Sequence, residues 1–150
     1  MNLETLPVDT FQAIGSYIQS KFAGVIPVYF EAHGEDQIVD GVDNYLEVRI
    51  DGPDIDEISN GTFKVSVDVD IYIQVERSRD TFKIRHLMGQ CANALNTPIL
   101  VKQAGVDLGY FSTTGFHGRT AKVIVTDLGR QDKETNLLRA TVATTLTLLI

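Results

Sequence analysis

The sequence predicts an α+β fold: a mainly antiparallel β-sheet with a long β-hairpin and two α-helices packed on one face. Three observations lead there. From Thr62 to Glu76 the apolar residues Phe63, Val65, Val67, Val69, Ile71, Ile73 and Val75 alternate with Lys64, Ser66, Asp68, Asp70, Tyr72, Gln74 and Glu76. Successive side chains of a strand point to opposite faces, so this period of two describes a strand with one buried and one wet face. Two other stretches, 9–22 and 80–96, repeat their apolar residues every three or four positions, the period of an amphipathic helix. Between and after them, short extended runs are separated by glycine-containing polar turns.

In the first helix Phe11, Ile14, Ile18 and Phe22 form the apolar stripe, with Asp9 or Thr10 placed to cap it and Pro7 at its start. Its polar side lacks the Lys/Arg-rich face of a membrane-surface helix. Gly24 ends it, and the run 25–33 follows as a short strand, which Pro27 assigns to a sheet edge or a bulge. Residues 34–44 are a polar connection. From Tyr45 to Ile50 the chain alternates again, and Asp51-Gly52-Pro53 and Asn60-Gly61 read as turns. The expectation is a hairpin of 45–50 with 62–76, joined by a long acidic tip. At roughly 3.3 Å per residue the second strand spans about 50 Å, enough to project past the body of the domain.

The second helix, capped by Asp80, buries Ile84, Leu87, Met88, Cys91 and Leu95 and stops at Asn96-Thr97-Pro98. Strands are expected at 99–101, 105–112, 121–128 and 137–150, the last with Leu138, Ala140, Val142, Leu146, Leu148 and Ile150 on one face. The length of 150 residues suits a single domain over 1–150.

Composition narrows the function classes. A net charge of −7 argues against holding nucleic acid by its phosphates. No run approaches the roughly 18 apolar residues of a membrane span, and the N-terminus lacks the pattern of a signal peptide, so assembly in the cytoplasm is expected. The single cysteine, Cys91, reads as a small buried hydrophobe.

The charge is segregated along the chain. Ten of the twenty acids lie between 31 and 57, while Arg77, Arg79, Lys83 and Arg85 lie within nine residues of one another. Those bases crowd the positive end of a helix dipole, an unfavourable placement that an acidic partner would relieve. The plain reading is two solvated faces; the sharper one is that the patches meet across a subunit contact, which makes Asp51, Asp54, Asp56 and Glu57 on one copy and Arg77, Arg79, Lys83 and Arg85 on the next the candidate interface.

Catalytic patterns are few. His33, His86 and His117 form no metal-ligand pair, the acids at 51–57 lack the spacing of a calcium loop, and no phosphate-binding glycine loop or nucleophile elbow is present. The loop 112–120, with Ser112, His117 and Arg119, is the one place where acid-base groups gather, and a surface loop is the simpler reading. No enzyme activity, cofactor or metal is expected.

The opening helix (LPVDTFQAIGSYIQSKF), the alternating strand TFKVSVDVDIYIQVE and the helix RDTFKIRHLMGQCANALNTP, in this order, resemble the tail terminator and tail completion proteins of long-tailed bacteriophages, within the wider group of minor tail and neck proteins. The resemblance is one of layout and covers most of the chain. It implies a virion protein that forms a hexameric ring on the end of the tail tube, stops tube polymerisation and offers a joining surface to the head connector. The implied partners are further copies of the chain, the tube protein and the connector protein. Asp68 and Asp70 would face the lumen of such a ring, where acids let DNA pass without sticking. The competing readings are a neck or head-completion protein of similar fold, and a small ligand-binding α+β protein or enzyme.

Overall fold

The computed structural model describes residues 1–30, 44–76, 82–113, 123–130 and 137–150. The fold is α+β, as expected, with elements α1 (Leu6–Phe22), β1 (Val28–Phe30), β2 (Tyr45–Ser59), β3 (Thr62–Glu76), α2 (Lys83–Leu95), β4 (Ile99–Gln103), β5 (Val106–Phe111), β6 (Ile124–Arg130) and β7 (Leu137–Leu149). Five strands form one sheet in the order β1-β2-β3-β7-β6, and β4 pairs with β5 in a separate hairpin. β1 runs parallel to β2; every other pairing is antiparallel.

The alternating strand lies at the centre of the sheet with the bounds its pattern predicts. Val65, Val67, Val69, Ile71, Ile73 and Val75 are buried and line up with the buried side of β7, as in Val65 with Leu148, Val67 with Leu146 and Ile71 with Val142. Burying each such side chain contributes about 1.5–3 kcal/mol. Leu46 and Val48 extend these rows into β2. Ile14, Ile18 and Phe22 of α1 and Ile84, Leu87, Cys91 and Leu95 of α2 complete one apolar cluster on this face. Met88, expected inside, is only partly buried against it.

Four local expectations are corrected. α1 starts at Leu6 rather than residue 9, with Pro7 in the first turn, where its missing N–H costs nothing. Asp9 and Thr10 therefore lie inside the helix and neither caps it; Thr10 is fully buried. The hairpin does not project alone, because β7 accompanies β3 to its far end, where Phe63 and Ile150 exchange backbone hydrogen bonds of 2.8 and 2.9 Å. β6 begins at Ile124, and Ile124, Val125 and Leu128 are all exposed.

The fourth correction concerns the acidic segment. Residues 51–59 are strand rather than loop, and only Asn60-Gly61 makes the turn. The pairing shifts between Asp51/Asp68 and Asp54/Ser66, so Gly52 and Pro53 together oppose Val67 as a bulge. Gly52 has φ +112, a conformation suited to glycine, and a Cβ there would meet the Ser66 carbonyl oxygen at 3.1 Å. The extra residue resets the alternation: Ile55 pairs with buried Val65, and Asp54 and Asp56 pair with Ser66 and Lys64 of the other face. A regular ladder carried through Gly52 and Pro53 without the bulge would turn the two aspartates toward the core.

Candidate functional site

The helices cover one face of the sheet; the other carries the polar half of the alternating pattern. Its side chains form rungs across β2, β3 and β7. Tyr45, Gln74 and Arg139 make one rung, Glu47, Tyr72 and Thr141 the next, then Arg49, Asp70 and Ala143, and then Asp51, Asp68 and Thr145. Asp54 and Asp56 continue the row along β2 through the bulge.

Carboxylates dominate the middle of this face. Asp68 is exposed and accepts a hydrogen bond of 2.6 Å from the Thr145 hydroxyl. Partial burial pushes the Asp70 carboxyl above its ordinary value, the charges of Asp51 and Asp68 push it the same way, and Arg49 opposes them. Arg49 stacks over the Tyr72 ring at 4.9 Å and lies 3.9 Å from Glu47.

At the opposite end from the Asn60-Gly61 turn is a recess of about 190 Å³, lined by Tyr45, Glu47, Tyr72, Gln74, Leu128 and Arg139. Gln74 is its floor and is buried despite being polar. Its Oε1 accepts from the Tyr45 hydroxyl at 3.3 Å and from Arg139 Nε at 3.1 Å. Burial raises the Tyr45 pKa, with Glu47 adding to the shift and Arg139 opposing it. A second, wider groove of about 610 Å³ runs between the N-terminus and the β4-β5 hairpin. There the Gln103 amide clasps Asn2, Thr5 and Asp9 through bonds of 2.6 to 3.0 Å.

The expected interface residues divide as follows. Asp51, Asp54, Asp56 and Glu57 are exposed along the second half of β2. Asp51, Asp54 and Asp56 share a face with Asp68 and Asp70, and the bulge is what unites them. Lys83 and Arg85 are exposed on α2, in the helical layer. Arg77, Arg79 and the expected cap Asp80 lie outside the described residues, as do His33, His117 and Arg119.

The described part of the loop that follows β5 has structural roles. Ser112 bridges to Thr147 of β7, and the buried Thr113 hydroxyl donates to Asn96 Oδ1 at 3.1 Å. Among the described residues no group of three or more His, Cys, Asp or Glu side chains is arranged to hold a metal ion. No described helix is long and apolar enough to cross a membrane. Sequence reasoning missed Tyr45, Gln74 and Arg139; the faint signal was an outward glutamine on the central strand, which burial converts into a hydrogen-bonded floor.

The sequence matches no family model and no curated protein. Among solved structures, a protein known only by a sequence identifier is similar over 98% of this chain and 94% of its own, with a TM-score of 0.54 and 8% identity. At that identity the likeness concerns the fold.

Proposed function

We propose that this chain is a structural virion protein of the tail terminator or tail completion type, forming a hexameric ring on the end of a phage tail tube. In that ring the acidic face of the sheet lines the passage, the ring stops tube growth, and its other side receives the head connector. The observation that carries the reading is the row of Asp51, Asp54, Asp56, Asp68 and Asp70 on the face opposite the helices. Carboxylates on one sheet face repel one another: partial burial raises the Asp70 pKa most, and the charges of Asp51 and Asp68 add to it. Such a face costs stability in a monomer, and repulsion of a sliding phosphate backbone gives it a use.

The rest of the chemistry is consistent with an assembly role. The recess in which Tyr45, Gln74 and Arg139 converge, at about 190 Å³, is smaller than the roughly 300–1,000 Å³ of ordinary small-molecule sites. It has the size of a side chain from a protein partner. The same properties suit a neck or head-completion ring; the resemblance in layout is what supports the tail position.

The test is the mass in solution by light scattering after size exclusion, over a concentration series at low and high salt. A discrete species of six subunits is expected. A monomer at every concentration and salt would remove the ring and favour a ligand-binding role for the two recesses.

A further inference from the structure

We infer that the recess around Arg139 is the socket for the acidic half of β2 on a second copy of this chain, with the Asp54 or Asp56 carboxylate entering it. This rests on the assembly reading above and names the surfaces that meet.

Three observations carry it. First, the Arg139 guanidinium is held through Nε by a neutral amide, Gln74, and has no carboxylate within salt-bridge distance among the described residues. Arg139 is itself exposed, so the rest of its donor fork is open to a partner. Second, the walls suit a short acidic side chain: Tyr45 and Tyr72 flank the floor, and the volume of about 190 Å³ admits one side chain rather than a helix. Glu47 also lines the recess, 3.9 Å from Arg49 on the Tyr72 side, which leaves the Arg139 side as the cationic end. Third, the acidic half of a chain's own β2 cannot reach its own recess. Tyr45 and Asp56 lie eleven residues apart on one strand, roughly 35 Å, and pairing with β3 along that whole length holds the strand extended. The donor must come from another molecule.

The contact joins two different patches, so every copy offers both a carboxylate and a socket, and the pattern propagates until a ring closes. It also fits the acidic passage. Gln74 is four residues from Asp70 along β3, about 13 Å, so the socket can be covered and the Asp54–Asp56 end of β2 engaged while Asp68 and Asp70 stay open.

Disulfide trapping tests this. Asp56→Cys protein and Arg139→Cys protein are prepared separately, then mixed in equal amounts under mild oxidation. The native Cys91 gives little background, since burial raises its pKa to about 12. The mixture should yield a crosslinked dimer at least ten times faster than either variant alone or than Asp56→Cys mixed with a Glu4→Cys control. Equal rates in all mixtures would overturn the socket. As a second reading without cysteine, Arg139→Glu should abolish self-association, and Asp54→Lys/Asp56→Lys protein mixed with Arg139→Glu protein should restore it. Oligomers that survive Arg139→Glu unchanged would overturn the socket and leave the ring standing. Crosslinking within a species of only two subunits would keep the socket, as a reciprocal pair, and remove the ring.

Discussion

A methyl carbon of Leu148 lies where a side chain on Gly109 would begin: a Cβ built on Gly109 falls 2.7 Å from Leu148 Cδ1. β5 thus presses its bare backbone against β7, and Leu148 in turn pairs with Val65 at the far end of the sheet. The β4-β5 hairpin is what covers the core there. Gly109→Ala would force Leu148 from its place in a packed core, a change that costs about 1–3 kcal/mol. Chemical denaturation should show that loss, and Gly89→Ala, on the exposed side of α2 with nothing within 4 Å of its Cβ, should show none.

The bulge at Gly52-Pro53 makes a sharper prediction. Deleting Gly52 and Pro53 together sets Asp54 opposite Val67 and Asp56 opposite Val65, turning both toward the apolar layer while Ile55 turns out. An uncompensated buried charge costs about 3–5 kcal/mol, so the deletion should destabilise by at least that lower figure. Deleting Asn60 alters only the exposed turn and should cost much less. Equal losses from the two deletions would refute the phasing role.

Asp70 fixes a pH dependence. Its folded pKa is raised, so between the ordinary aspartate value of 3.8 and the raised value the folded protein holds the proton more tightly than the unfolded chain. Its charge therefore lowers stability as pH rises through that window. Asp70→Asn should stabilise the protein at neutral pH, by less than about 1 kcal/mol because solvent screens a partly exposed group. The gain should vanish well below pH 3.8, where both forms are neutral. Melting curves of the two proteins across pH measure the difference.

Cys91 is buried in α2 against the core, and its thiol is pushed up to about 12 by that burial. The native protein should resist a thiol reagent at pH 8, with one equivalent reacting once denaturant is added. Fast native labelling would mean that α2 detaches readily from the sheet.

The central strand was legible in its bounds and in its apolar face from Val65 to Val75, because that face of Thr62–Glu76 is wholly apolar; Gln74, read as outward, is buried, and Phe63, read as inward, is only partly so. The buried stripes of both helices followed for the same reason, apart from Phe11 and Met88, which are only partly buried. The acidic half of β2 was not. Asp51-Gly52-Pro53 carries every local mark of a turn, yet the pairing of Ile55 with Val65 continues the ladder and absorbs the glycine and proline as a bulge. Local turn chemistry yielded to a long partner strand. The socket was hidden for a different reason: Tyr45, Gln74 and Arg139 are far apart in sequence and meet only through the register of three strands. No spacing rule along one chain could bring them together.

Electron cryo-microscopy of the self-assembled protein bears most directly on the proposed role. The account predicts a closed ring of six copies with Asp68 and Asp70 on its inner wall and the acidic half of each β2 against the Arg139 recess of a neighbour. Particles no larger than a monomer, or a ring with those two aspartates on its outer surface, would contradict it.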